Sequence, residues 1–221
     1  IDHFGGALGV ISAEEVATRG IPVIAPAGFL EEATSENVLV GTAMGRRSGY
    51  QFGKDLERSP TGLIDTGLGK AVAYGSFGIL PPSLLIEQAS ETHVVDGVGL
   101  VFHNVPGSEA PAELSFSIPE RKAYCGAEIL AQTMHNLLPV RGAKVRDTLR
   151  WAGYLQDALD ALGDTEVYFA SHNWPIWGNA RIAQFIRAHR DVYKYTHDQS
   201  VRLINAGYTP REIADEIDRK S

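Results

Sequence analysis

The feature of this sequence that most constrains its fold is a succession of short apolar segments with β-type composition, separated by turn residues. Four of them follow one another between residues 84 and 118, and Asp96-Gly97 between two of them is typical of a hairpin turn. Two more, at 122–127 and 166–170, flank a stretch with helical spacing at 143–161. Short strands combined with helices of this length predict an α/β fold.

Side chains suited to metal binding follow several of these segments. Glu128 comes directly after the segment at 122–127, and His172 closely follows the one at 166–170. Carboxylates and imidazoles gathered at strand ends are the donors that a zinc-like or manganese-like ion takes. Because burying several carboxylates without a counter-charge would be costly, a cation gives such residues a reason to converge. The predicted metal ligands are Asp2, His3, Glu109, Glu128 and His172.

Composition narrows the class of protein. The formal net charge is −7 and no basic run of five or more residues occurs, so we expect no nucleic-acid partner. The longest apolar runs are far shorter than a membrane span. The lone Cys125 excludes an internal disulfide without identifying a compartment. The chain begins at Ile1 and stops at Ser221, just after a helical pattern, so we expect both ends to be cuts in a longer protein and predict no localisation.

The last part of the chain has helical character. Residues 179–206 and 209–220 show helical apolar spacing, and Thr209 and Pro210 are typical of the start of the second helix. A broad apolar stripe runs along this segment. Two interpretations remain open: the stripe packs in the core, or the segment is a helical appendage that pairs with a partner.

Several motifs of the chain match a known family. Asp2-His3-Phe4-Gly5-Gly6 is similar to the tail of a His-x-His-x-Asp-His signature. Gly-Ser-Glu-Ala-Pro-Ala-Glu at 107–113 and Arg-Gly-Ala-Lys-Val-Arg-Asp at 141–147 are more specific. On these motifs the chain resembles the alkylsulfatase branch of the metallo-β-lactamase superfamily. The resemblance covers nearly the whole chain and continues through residues 36–38, 43–47, 134–137, 170–175 and 193–199.

The resemblance implies a fold and an activity. The implied fold is a metallo-β-lactamase-like αββα sandwich, truncated at its N-terminus, over residues 1–178, followed by the start of a helical dimerisation domain at 179–221. The implied activity is hydrolysis of alkyl sulfate esters, such as dodecyl sulfate, by a homodimeric enzyme with two zinc ions. The implied ligands are Asp2, His3 and His172 for one zinc ion, Glu109 for the other, and Glu128 between the two.

The chemistry of the implied reaction assigns further roles. A sulfate monoester is an anion that a guanidinium can hold through two oxygens, and Arg141 is the predicted residue for this role. The alternative is that Arg141 forms a structural ion pair with Asp147. The leaving alkoxide needs a proton, which favours His135 as the donor, with orientation of Glu128 as the alternative. The predicted substrate-binding residues are Arg141, Arg46 and Tyr50, and the predicted catalytic residues are His135 and Asp2.

One departure from the family pattern leaves alternatives open. The two histidines of the His-x-His pair would precede Ile1 and are absent, so this chain by itself is expected to bind zinc weakly or not at all. The first alternative is another hydrolase of the same fold, one that acts on a thioester, lactone or phosphodiester. The thioester and phosphodiester branches usually place histidine where Glu109 lies and aspartate where Glu128 lies, which favours the sulfatase branch. A metal-free binding protein or an inert fragment is the other alternative.

Overall fold

The computed structural model describes residues 3–66, 69–71 and 75–218, and within those ranges it contains eight strands in two sheets. The strands are β1 (Ile24–Pro26), β2 (Leu84–Ile86), β3 (Ser90–Val95), β4 (Val98–Asn104), β5 (Leu114–Ile118), β6 (Ala123–Cys125), β7 (Val167–Phe169) and β8 (Ile176–Trp177). β1 and β2 form a parallel pair, and the other six strands form one sheet in chain order. In that sheet β6 and β7 are parallel, whereas all other neighbours are antiparallel.

The predicted hairpin turn is confirmed between β3 and β4. Val95 pairs with Val98, and the two residues between them, Asp96 and Gly97, have φ of 48° and 76°. Tight hairpin turns require positive φ at both central positions, a conformation that aspartate and glycine tolerate. The turn therefore sets the register of the first two strands of the large sheet.

Six α-helices occur in the described ranges, three before strand β2 in the sequence and three after strand β6. They are α1 (Ala13–Arg19), α2 (Phe29–Thr34), α3 (Gly41–Phe52), α4 (Thr148–Asp160), α5 (Asn179–Asn205) and α6 (Pro210–Asp218), with short 3₁₀ turns at Phe4–Gly9 and Pro119–Arg121 and a π turn at Ser35–Leu39. Thr209 and Glu212 form a reciprocal cap at the start of α6, as the sequence predicted. Among the helices of the described ranges, none combines the length and apolar character needed to cross a bilayer.

Helix α4 begins later than its apolar spacing predicted. The side chain of Asp147 accepts from the amide of Arg150 at 3.0 Å and caps the helix, which starts at Thr148 rather than at residue 143. The residues before the helix make tertiary hydrogen bonds instead, since the amides of Arg146 and Asp147 donate to the carbonyls of Leu137 and Gly107. Residues 143–147 therefore tie two loops together instead of extending the helix.

The hydrophobic core lies between the large sheet and the pair of helices α4 and α5. Trp151 of α4 stacks on Tyr193 of α5 with ring centroids 4.4 Å apart. Both rings are fully buried, and burial of such side chains contributes about 1.5–3 kcal/mol each. Other members of this core are Leu155, Tyr168, Ile182 and Ile186. The α/β class is thus confirmed, and the division into domains at residues 178 and 179 stays a prediction.

Candidate metal centre

The site begins at the edge of the sheet where the parallel strands β6 and β7 end. Just beyond them, the amide of Ser171 donates to the carbonyl oxygen of Ala127 at 3.0 Å. Ala127 and Asn173 have φ of 47° and 69°, a left-handed conformation that is uncommon outside glycine and marks sharp turns. These turns adjoin Glu128 and His172, whose side chains are in contact.

Three side chains, which we call the outer donor group, meet at this edge: His3, Glu128 and His172. The Nε2 atom of His3 lies 2.8 Å from Oε1 of Glu128, and Nε2 of His172 contacts the same oxygen. The two imidazole rings meet edge to face, with centroids 5.1 Å apart. One ligand atom from each residue lies within 4.8 Å of the others, a spacing that a single ion can bridge.

A second cluster, the inner donor group, consists of Glu109, Glu128 and His135. The Nε2 atom of His135 lies 3.6 Å from Oε1 of Glu109. Glu109 and Glu128 are only 6% and 7% exposed, so this group is more buried than the outer one. The backbone amide of His135 donates to the hydroxyl oxygen of Tyr193 at 3.1 Å, which attaches its loop to helix α5. Glu128 belongs to both groups and joins them.

A buried guanidinium that the sequence analysis did not single out supports the inner donor group. Arg146 contacts both the carboxylate and the backbone carbonyl of Glu109. It also donates to Nδ1 of His135 at 3.0 Å and to the carbonyl of Asn136 at 2.6 Å. Because a guanidinium only donates, this contact favours the tautomer in which Nδ1 accepts and the ring proton of His135 lies on Nε2. The signal for Arg146 was its place in the specific stretch at 141–147.

A third buried carboxylate, Glu113, was also missed. Its Oε2 atom accepts from the amide of Ala110 at 3.0 Å and lies 3.3 Å from Ser108 Oγ, and its Oε1 accepts from the amide of Glu128 at 3.2 Å. Burial, together with the nearby charge of Glu109, raises the pKa of Glu113 to about 8. Three carboxylates therefore converge in one poorly solvated place.

Neighbouring imidazoles determine the ionisation of Glu128. Burial by itself would raise its pKa, but the hydrogen bond from His3 and the charges of His3 and His172 lower it to about 2. A carboxyl with a depressed pKa stabilises the fold above its unfolded-state pKa, and this contribution is lost as the pH falls toward 2. Glu128 is accordingly an anion throughout the neutral range.

The chemistry of these side chains fits a metal ion. Carboxylate oxygens and imidazole nitrogens are the donors that divalent first-row metals take from proteins. Glu109 and Glu128 bring two carboxylates into a buried place, and a bound cation would offset their charge. The two donor groups therefore form a candidate metal centre. The predicted ligand roles of His3, Glu109, Glu128 and His172 stay predictions, as does the role of His135 as a proton donor.

The other predicted site residues lie elsewhere or outside the described residues. Asp2 is outside them. The backbone amide of Arg141 donates to Oε1 of Gln51 on α3 at 3.3 Å, so its loop packs on that helix. Arg46 and Tyr50 are exposed on α3, Tyr50 to 88%, and within the described ranges no hydrogen bond joins either to the donor groups. Their substrate-binding roles stay predictions.

Two cavities meet at the candidate centre. A cavity of about 320 Å³ touches Glu109 and Glu128, and a larger one of about 780 Å³ extends away from them. His3 and Phe4 line both. The larger cavity is further lined by Val38, Phe77 and Ile79. A ligand with a polar head and an apolar tail could thus place its head at the outer donor group and its tail among these side chains.

Comparison with curated proteins finds relatives along nearly the whole chain. A linear primary-alkylsulfatase of a Pseudomonas species is 43% identical over 218 residues, which are 98% of this chain and 32% of the relative. The alkyl/aryl-sulfatase BDS1 of Saccharomyces cerevisiae is 43% identical over 217 residues, 98% of this chain and 34% of the relative. The chain therefore spans about a third of the length of these relatives. No protein-family model matches it.

Comparison with solved structures gives the same result for the fold. The stereoselective inverting sec-alkylsulfatase Pisa1 from a Pseudomonas species superposes with a TM-score of 0.92 at 42% sequence identity. The match covers 98% of this chain and 34% of that structure. The arrangement of strands and helices described above is therefore similar to that of this sec-alkylsulfatase over the matched region.

Proposed function

We infer that this chain, which belongs to the alkylsulfatase family, carries metal ligands of an enzyme that hydrolyses alkyl sulfate esters to alcohol and sulfate. The observation that carries this inference is the pair of donor groups joined through Glu128, beside the ends of two parallel strands. The names of relatives that are 42–43% identical support the substrate class.

We propose zinc as the metal, because mixed imidazole and carboxylate donors are typical of catalytic zinc sites. His3, Glu128 and His172 would hold one ion. Glu109 and Glu128 would hold a second, and Asp2, outside the described residues, is proposed as a further ligand. When bound, two such ions act as Lewis acids and make water acidic enough to attack an ester near neutral pH.

The remaining chemistry falls to the protein's own side chains. We propose that Arg141 holds the sulfate oxygens, since a guanidinium matches two of them at once. In the tautomer that the contact with Arg146 favours, the ring proton of His135 lies on Nε2, 3.6 Å from the carboxylate of Glu109. The proposed donation of a proton to the leaving oxygen would use the same atom.

We propose that the larger cavity takes the alkyl tail of the substrate. It starts at His3 and continues past Phe4, Phe77 and Ile79. Each methylene removed from water contributes about 0.8 kcal/mol, so a longer chain should bind more tightly. Esters of short alcohols should consequently show a higher KM than dodecyl sulfate, and equal KM values would contradict this placement.

Metal removal tests the proposed function directly. The complete protein is expected to release sulfate from dodecyl sulfate, to lose this activity after dialysis against a chelator, and to regain it on addition of Zn²⁺. Sulfate is measured by ion chromatography and metal content by plasma emission. Sulfate release that persists in protein free of metal would contradict the proposal, as would protein that binds zinc fully and releases none.

Arg141 provides a second test. An Arg141→Ala variant is expected to raise the KM for alkyl sulfates by one to two orders of magnitude, the roughly 1.5–3 kcal/mol that a hydrogen bond to a charged group contributes. Its melting temperature should change less than the KM, because the variant keeps the backbone amide of Arg141 that attaches the loop to α3. Arg211→Ala on the exposed face of α6 is the matched control. A large loss of stability with unchanged KM would assign Arg141 to a structural ion pair.

We also propose that residues 179–221 begin a helical domain through which two copies pair. Helix α5 exposes Tyr195, Val201 and Ile204 beyond the part of the helix that packs on α4. Exposed apolar side chains along one helix are typical of a surface that another helix covers. Sedimentation of the complete protein as a monomer would contradict the pairing.

A further inference from the structure

Glu113 is a buried carboxylate that has no role in the function proposed above. It closes the specific stretch at 107–113 and is only 8% exposed. A charged residue this deeply buried is unusual unless its oxygens have hydrogen-bond donors. The described contacts supply such donors from two different segments of the chain.

The two oxygens of Glu113 join the loop of Glu109 to the backbone of Glu128. One oxygen accepts from the amide of Ala110 at 3.0 Å and lies 3.3 Å from Ser108 Oγ, and these two residues stand on either side of Glu109. The other oxygen accepts from the amide of Glu128 at 3.2 Å. A single side chain thus connects the main chain at two residues of the inner donor group.

The loop that Glu113 holds is itself closed by short contacts. Ser108 Oγ donates to the carbonyl of Val105 at 2.6 Å, and the amide of Val105 donates to the carbonyl of Glu113 at 2.9 Å. The amide of Gly107 donates to the carbonyl of Ala110 at 2.9 Å. A displacement of the Glu113 carboxyl group would therefore move the whole loop at 105–113, and the backbone of Glu109 with it.

We propose that Glu113 is a positioning residue that sets the separation of Glu109 and Glu128 for metal binding. The inference rests on the proposed function in taking these two glutamates as ligands. Residues that hold ligands in place typically change metal affinity about 10- to 100-fold when replaced. Glu113 acts through hydrogen bonds to the backbone and does not need to touch the metal.

Glutamine is the informative replacement because it has nearly the same shape. Its amide offers one oxygen and one NH₂ group, whereas both sides of the Glu113 carboxylate face donors. In either orientation of the amide, the NH₂ group must point at an N–H group, of Ala110 or of Glu128. Glu113→Gln should therefore break one of the two connections while it leaves the packing in place.

The experiment titrates the complete, metal-free protein with Zn²⁺ by calorimetry and with Co²⁺ by visible absorption. Glu113→Gln is expected to weaken binding of the inner ion about 10- to 100-fold and to shift the Co²⁺ bands. Glu113→Asp, which keeps the carboxyl group but is one methylene too short to span both sides, should behave similarly. Glu120→Gln, at an exposed position in the neighbouring 3₁₀ turn, is the matched control and should bind like the parent protein.

Unchanged affinity and unchanged Co²⁺ bands in Glu113→Gln would overturn the inference. So would a loss of affinity that is fully explained by the fraction of unfolded protein, measured by circular dichroism in the same samples. If Glu128→Gln loses metal while Glu113→Gln does not, the proposed function stands and the positioning role fails. If both variants bind like the parent protein, the proposed metal centre itself is wrong.

Discussion

A Glu128→Ala variant of the complete protein is expected to lose both metal ions and the release of sulfate from alkyl esters. Glu128 is the residue shared by the outer and inner donor groups, so its removal takes a ligand from each. The loss should exceed the roughly 10- to 100-fold that follows removal of a residue that only orients a ligand. Plasma emission of dialysed protein measures the metal, and sulfate release measures the activity.

The matched control for this prediction is Glu166→Ala, which removes an exposed carboxylate just before strand β7. That variant should keep full metal content and activity. His172→Ala should lose the outer ion while the inner donor group is intact, which distinguishes a shared ligand from a ligand of one ion. Stoichiometric zinc retained in Glu128→Ala would exclude Glu128 as a ligand.

The second large effect is expected on stability. Arg146→Met should lower the free energy of unfolding of the metal-free protein by about 3–5 kcal/mol, because it leaves the buried carboxylate of Glu109 without its guanidinium partner. The variant also removes the donor to His135 Nδ1, so this contact no longer favours one tautomer of the ring. Urea denaturation followed by circular dichroism measures the change.

Two comparisons make this prediction specific. Arg187→Met, on the exposed surface of α5, should change stability by less than about 0.5 kcal/mol. Saturation with Zn²⁺ should reduce the deficit of Arg146→Met, since a cation bound by Glu109 offsets the charge that arginine no longer balances. A loss below about 1 kcal/mol would show that Glu109 has another adequate partner or becomes protonated at little cost.

The strand ends of this protein could be predicted from sequence, and with them part of the candidate centre. Glu128 and His172 each follow a short apolar segment, and the structure places those segments side by side in parallel. Local composition carried this information, because a strand followed by turn residues is visible in a few adjacent positions. His3 was predicted from its motif, and its side chain lies beside the other two.

The residues that support the ligands could not be predicted in the same way. Arg141 and Arg146 lie in one stretch with the same side chain, and only packing shows that Arg146 is buried against Glu109. Glu113 contacts a backbone amide 15 positions away in sequence. Charged residues are mostly exposed, so composition favours a surface position for both. The late start of α4 has the same cause, since tertiary contacts of residues 146 and 147 overrode helical spacing.

The hydrogen bond between Tyr193 and His135 couples helix α5 to the loop of the proposed proton donor. The helix has 27 residues and is about 40 Å long at 1.5 Å per residue, and Tyr193 lies near its middle. Its first half contributes Ile182 and Ile186 to the core, and its second half exposes Tyr195, Val201 and Ile204 while Leu203 is buried. A tilt of α5 imposed at its C-terminal end would move Tyr193 and, through this hydrogen bond, the backbone amide of His135. If substitutions at the C-terminal end of α5 leave the hydrogen-exchange rate of the His135 amide unchanged, the two are not coupled.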